Sequence, residues 1–173
     1  MLPYGFGLSY TSWVYTPLPD PAPPAVAGTG ASAAATSIRA VELSAVRAAA
    51  EAHALTGPVG HVPAALKTTA VSFWLNVSNT GAVDSDDVVL GFLVPPGAGV
   101  GGVPLQELFG FERVHVPAGQ TVTVYLGAQG VRFTQAGADG VRRFLPGEYT
   151  ARFGVREAAA HGMGFAETRL RCE

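Results

Sequence analysis

The densest acidic cluster in the chain is Asp84, Asp86 and Asp87, arranged as Asp-Ser-Asp-Asp shortly after Gly81. A calcium loop would need further oxygen ligands at regular spacing and a distal bidentate glutamate, and neither follows, so the cluster reads as an exposed acidic turn. Glu107 and Glu112 are the next carboxylates that could act together. They flank a glycine-interrupted strand, and a hydrolytic pair needs a cleft that a sandwich strand does not supply. Ion pairs with solvent-side or interdomain partners are expected for both. His53, His61, His115 and His161 lack metal-ligand spacing, and no Ser-His-Asp set can be picked out. Glycines 97, 99, 101 and 102 come without the lysine and Ser/Thr of a phosphate loop, which leaves a flexible hairpin connection. The single cysteine, Cys172, has no internal partner for a disulfide and reads as an inert thiol. The expectation is therefore a chain with no catalytic, cofactor-binding or metal-binding residue.

Two positions carry chemistry of another kind. Asn76-Val77-Ser78 is a glycosylation sequon, which makes Asn76 a candidate acceptor. Trp74 lies two residues earlier on the same strand face, opposite Val71, Phe73 and Leu75. A tryptophan there is either covered by another part of the protein or left exposed, where it could serve as a sugar-stacking platform. A glycan on Asn76 would require that end of the face to be open.

The elements that must hold these residues are mostly strands. Of the 173 residues 48% are apolar and 14% charged, and the formal net charge is −2, which argues against an electrostatic grip on nucleic acid or anionic lipid. Gly (22) and Pro (13) favour turns and short strands over a helical bundle. No run approaches the roughly 18 apolar residues of a membrane helix. Met1-Leu2-Pro3-Tyr4-Gly5 does not open a basic region followed by an apolar core, so no signal peptide is expected in the chain as written.

Strand patterns run over residues 8–15, 69–78, 88–94, 105–116, 121–126, 149–155 and, more weakly, 165–172. In the clearest, Val71, Phe73, Leu75 and Val77 share one face. Val88, Leu90, Phe92 and Val94 repeat the pattern on the next, and Gly110 between Phe109 and Phe111 signals a bulge or a close backbone approach. Residues 16–37 are rich in Pro and Ala and read as a surface linker or a disordered insert. Residues 37–55 carry Ile38, Val41, Ala45, Ala48, Ala52 and Leu55 at helical spacing, with Thr36 or Ser37 as cap, Arg47 and Glu51 as i,i+4 partners, and Gly57-Pro58 as stop. That mostly alanine stripe would bury little area, so the helix is expected to lie on the domain rather than build its core. The architecture expected is an all-β antiparallel sandwich of the fibronectin-III/immunoglobulin-like kind with one inserted helix.

Two segments go beyond pattern. Pro3-Tyr4-Gly5-Phe6-Gly7-Leu8-Ser9-Tyr10-Thr11 resembles the P-[FY]-G-[FY]-G-L-S-Y-T segment with which family 3 glycoside hydrolases enter their C-terminal fibronectin type III-like domain. Leu105-Gln106-Glu107-Leu108-Phe109-Gly110-Phe111-Glu112-Arg113-Val114 resembles that domain's K-[EQ]-L-x-G-F-x-[RK]-[VI] strand. In the family's order, Val77-Ser78-Asn79-Thr80-Gly81 is similar to its V-x-N-x-G turn. Asp87-Val88-Val89-Leu90 is similar to its E-V-V-x strand, and Leu145-Pro146-Gly147-Glu148-Tyr149 to its x-P-G-E-Y hairpin. Pro95-Pro96-Gly97 leans toward the plant-like β-xylosidase/α-arabinofuranosidase branch rather than the β-glucosidases. Gln106, where the family often has lysine, and Phe109, where it often has a smaller residue, are departures. The matches cover residues 1–16 and 69–155.

The resemblance implies an entry segment and first strand over 1–16, an inserted linker and helix over 17–68, and the remainder of the sandwich over 69–173. It implies a parent enzyme that hydrolyses β-glycosidic bonds in xylan, xylo-oligosaccharides or β-glucosides, secreted or vacuolar, using two carboxylic groups about 5–5.5 Å apart. In the family both belong to domains that precede this segment, so no residue here inherits either role. An accessory domain follows from this, docked on the catalytic domains as its partners, with Trp74, Phe109 and Phe111 as the interdomain or partner surface and no cofactor. The alternative is a stand-alone module binding polysaccharide or protein through aromatics such as Trp13, Trp74 and Tyr125.

Overall fold

The computed structural model describes residues 9–19, 38–56 and 61–172. The glycine-spaced entry at 3–8, most of the linker, the helix caps Thr36 and Ser37 and the stop at Gly57-Pro58 lie outside them. The chain divides into two units, one built from Met1–Leu18, Phe73–Leu126 and Pro146–Glu173, the other from Pro19–Ser72 and Gly127–Leu145.

The first unit holds an antiparallel β-sandwich. One sheet has the order β1-β2-β5, from Trp13–Pro17, Ala70–Asn79 and Thr121–Gln129. The other has the order β4-β3-β8-β9, from Glu107–Val116, Ser85–Val94, Gly147–Gly154 and Phe165–Cys172. The chain crosses between sheets at β2 to β3 and again at β4 to β5, as a Greek key does. Alternation explains the core: Phe73, Leu75 and Val77 of β2 and Val124 and Leu126 of β5 face Val89, Leu93, Tyr149 and Phe153 of the opposite sheet, all at most 4% exposed. Phe73 on β2 lies 5.3 Å from Phe109 on β4 and 5.8 Å from Phe153 on β8, centroid to centroid, which puts an aromatic cluster between the sheets.

Within β3 the face is the reverse of the one expected. Asp87, Val89, Gly91 and Leu93 point inward, whereas Val88 is exposed and Leu90, Phe92 and Val94 are half-buried on the outside. The strand is apolar on both faces, so hydrophobicity alone does not fix which set is buried. The bulge read from Gly110 is present: Phe92 pairs with Leu108 and Gly91 with Gly110, which leaves Phe109 as the extra residue.

Asn79 ends β2 as a buried polar hinge. Its Oδ1 accepts from Thr11 Oγ1 and the Gly81 amide, and its Nδ2 donates to the carbonyls of Val83 (2.8 Å) and Val116 (3.0 Å). A Cβ on Gly81 would collide with the Thr11 hydroxyl, which explains why glycine follows two residues after this asparagine.

The second unit contains α1 (Ile38–Thr56), the short α2 (Ala64–Thr68), a 3-10 turn at Gly130–Phe133 and the hairpin β6-β7 (Thr134–Ala136 and Arg142–Phe144). Arg47 and Glu51 form the expected i,i+4 pair at 2.7 Å. The buried stripe differs from the alanine-rich one: Leu43, Val46 and Ala50 are inside, and Ala45, Ala48 and Ala52 are exposed. Leu and Val bury far more apolar area than alanine, and area decides which side of a weakly amphipathic helix turns inward. With Leu66 and Phe133, both fully buried, the helix builds a core of its own, and Val46 and Leu66 close around Gly130. Glu42, expected among the outlying polar groups, accepts hydrogen bonds from the amide and hydroxyl of Ser72.

Candidate interaction faces

The acidic cluster disperses once it folds. Asp84 accepts from the Ala118 amide at 2.8 Å and so caps the turn after β4. Asp86 points outward to His115 and to Arg113, both at 2.7 Å, and these two partners hold its carboxyl below the usual range. Asp87 points inward, where Tyr15 donates to it at 2.5 Å and the Val88 amide at 2.9 Å. Burial pushes the Asp87 carboxyl up despite these two donors, and burial beside that carboxylate drives the Tyr15 phenol far above its ordinary value. The sequence reading missed this pair because Tyr15 and Asp87 lie 72 positions apart. Among the described residues no three His, Cys, Asp or Glu side chains gather as metal ligands would.

Glu107 and Glu112 sit five positions apart on β4, roughly 15 Å along a strand. That exceeds the separation of about 5–9.5 Å at which two carboxylates act on one glycosidic bond. His115 is paired with Asp86, and the side chain of His53 lies outside the described residues. Cys172 is buried, and burial pushes its thiol up to about 12.

Of the three aromatics expected at a surface, the structure separates one from the others. Phe109 is a core residue, 9% exposed, because the bulge turns it between the sheets. Phe111 stands 66% exposed on the outer face of the four-stranded sheet. It has company there that sequence did not reveal, since the reversal of β3 puts apolar residues on that side. Register sets Phe111 across from Leu90, and Leu108 across from Phe92, with exposed Val88 continuing the patch. Charge rims it: Arg113 lies beside Val88, and Arg152 and Arg156 both grip Glu167 beside Phe92.

The outer face of the three-stranded sheet has a different character. Trp74, Asn76 and Ser78 project from the central strand β2, half-buried. Tyr125 of β5 meets Trp74 with ring centroids 5.4 Å apart and planes tilted 56°. In the next row Thr123 donates to Asn76 Oδ1 at 2.9 Å, and Thr16 of β1 lies opposite. In the last, Ser78 and Thr121 share a 2.7 Å hydrogen bond, with Val14 opposite. Among the described residues of this face none carries a charge. Trp13, in contrast, is buried, with its indole donating to Ser9 Oγ, so it contributes nothing to an exposed aromatic surface.

No protein-family model matches the sequence, and no curated protein does. Solved structures do. A β-glucosidase from Listeria innocua, solved with gluconolactone, superposes with a TM-score of 0.60 at 14% identity, covering 98% of this chain and 17% of that one. A β-glucosidase from intestinal bacteria involved in saponin metabolism gives 0.59 at 20% identity, with the same coverages. A family 3 β-glucosidase from Bifidobacterium adolescentis gives 0.54 at 22%, covering 97% of this chain and 18% of that one. At such identities the likeness is one of fold. The chain spans less than a fifth of each of these proteins.

Proposed function

We propose that this chain is the C-terminal fibronectin type III-like domain of a family 3 glycoside hydrolase, an accessory module that docks on the catalytic domains and holds their pose. The observation that carries this reading is the apolar outer face of the four-stranded sheet, formed by Val88, Leu90, Phe92, Leu108 and Phe111. An exposed apolar patch rimmed by charge is the surface of a module that packs against something else. Two further observations support the reading. A three-plus-four-stranded Greek-key sandwich is the architecture of fibronectin type III domains. The strand that supplies Leu108 and Phe111 is also the one whose sequence resembles the family's most distinctive segment in this domain. Catalysis belongs to the parent, which hydrolyses β-glycosidic bonds in β-glucosides or xylo-oligosaccharides and works outside the cell or in a vacuole.

Light scattering and binding of an apolar dye on the isolated chain test the proposal. Without its partner domains the chain should associate and bind dye. Phe111→Glu should abolish both while leaving the far-ultraviolet circular dichroism unchanged, because this ring is mostly outside the core. A wild-type chain that stays monomeric and dye-free at high concentration, or binds xylan as a monomer, would overturn it.

A further inference from the structure

The outward face of β1-β2-β5 combines a sequon, hydroxyl groups and an aromatic pair, with no charged side chain among its described residues, and the accessory role leaves all of this unused. We infer that Asn76 carries an N-linked glycan whose first sugars lie along this face against Trp74 and Tyr125.

Three features of the geometry point this way. First, Asn76 faces outward, and its one hydrogen bond among the described residues is accepted by Oδ1 from Thr123. Nδ2, the atom that takes the sugar, is not engaged there, and the Thr123 bond survives modification because a glycosylated amide keeps its oxygen. Second, Trp74 stands two residues before Asn76 on the same face of β2, so the two side chains leave the strand about 7 Å apart. Tyr125 meets Trp74 with the ring planes tilted 56°, which puts two aromatic rings beside the acceptor. Aromatic faces bind the apolar C–H faces of sugars, while the hydroxyls of Thr123, Ser78 and their neighbours suit the sugar's polar edge. Third, the described residues of this face carry no charge, and a neutral, heavily hydrated glycan adds hydration there without introducing charge.

The modification balances with one co-reactant, a lipid-linked oligosaccharyl pyrophosphate. Asn76 Nδ2 forms a bond to C1 of the reducing-end sugar and loses one proton. The C1–O bond to phosphate breaks, and the lipid pyrophosphate leaves with the bonding electrons.

The test is to send the full chain through the secretory pathway of a eukaryotic cell behind a cleavable leader and measure the intact mass before and after amidase treatment. The expected result is the mass of one N-glycan, mapped to the peptide containing Asn76. It should be absent from Asn76→Gln and from Ser78→Ala and kept in Ser78→Thr, which preserves the sequon. Packing is read separately: amidase removal of the glycan from folded protein should move tryptophan emission to longer wavelength in wild type and not in Trp74→Phe, since the other tryptophan, Trp13, is buried. Recovery of secreted, folded chain with unmodified Asn76 overturns the inference. A glycan whose removal leaves the emission unchanged overturns its placement on Trp74.

Discussion

The ring of Phe109 lies across Gly91, so close that a Cβ at position 91 would sit 2.6 Å from the ring's nearest carbon. The two residues belong to neighbouring strands, and the bulge that makes Phe109 an extra residue of β4 also tips its ring over β3. Gly91→Ala should therefore cost about 1–3 kcal/mol through overpacking. Phe109→Ala alone should cost about 3–5 kcal/mol, as a buried phenylalanine does. The informative variant carries both changes. With the ring gone, the alanine at 91 has room, so the double variant should be no less stable than Phe109→Ala, and costs that simply add would refute the close contact.

Tyr15 and Asp87 join the two sheets through the hydroxyl-to-carboxylate bond. Tyr15→Phe removes the donor and leaves a buried carboxylate with one fewer partner, a loss of about 1–3 kcal/mol in urea unfolding at neutral pH. The pH dependence has a definite sign. Burial raises the folded pKa of Asp87, so its folded form holds a proton that the unfolded chain has already lost. Its contribution is full below the unfolded value of about 3.9 and is lost as pH rises through the raised folded value. Asp86, Asp139 and Glu167 act in the opposite sense, being held below their ordinary values. The contribution of Asp87 is thus best read as the difference between wild type and Asp87→Asn. That difference should move against wild type as pH rises above 4, and further so in the Tyr15→Phe background, where the carboxylate has lost a bond that lowers its pKa. A pH-independent difference would show that Asp87 titrates normally.

Much of this fold was legible in the sequence, and the failures share a cause. β2 could be read because its two faces differ in polarity: Val71, Phe73, Leu75 and Val77 against Trp74, Asn76 and Ser78. β3 could not, because Val88 to Val94 is apolar on both sides, and what turns it is a pair of contacts from other strands, Tyr15 on Asp87 and Phe109 on Gly91. The same reversal hid most of the apolar outer face, which Val88, Leu90 and Phe92 supply. Phe111, expected at a surface, stands exposed on that face, while its neighbour Phe109 was moved inward by a bulge whose presence, though not its direction, Gly110 announced. In α1 the count of apolar positions favoured the alanine stripe, but Leu43 and Val46 carry more area on fewer positions. The stretch from Gly127 to Leu145 gave no periodic signal at all, since a 3-10 turn and a three-residue hairpin are too short to show one.

Asn79 supplies a third prediction. Its side chain makes four hydrogen bonds while only 1% exposed, tying the turn at Gly81 and Val83 to Thr11 and to the end of β4. Asn79→Ala strands several buried partners at once and should destabilise by at least about 3 kcal/mol. Asn79→Asp keeps the acceptor for Thr11 and Gly81 but sets a carboxylate oxygen against the carbonyls of Val83 and Val116. It should therefore be comparably damaging at neutral pH and partly rescued in acid, where the protonated group donates again. Equal stability of Asp and Asn at pH 7 would mean that the two carbonyl contacts contribute little.

The last prediction concerns Cys172, near the end of β9. Burial moves its thiol from 9.0 to about 12, so at neutral pH the thiolate, the only form that attacks a disulfide reagent, is scarcer by about a thousandfold. Labelling by an aromatic disulfide should accordingly run about three orders of magnitude slower on the folded chain than in concentrated urea. Burial adds a steric barrier to the electrostatic one, and pH separates them. If thiolate scarcity dominates, the native rate climbs tenfold per pH unit well past the point where the unfolded thiol has saturated. If access through local opening of β9 dominates, the native rate levels off at the opening rate and becomes independent of reagent concentration. A native rate within tenfold of the unfolded one would show that Cys172 is not held in the core.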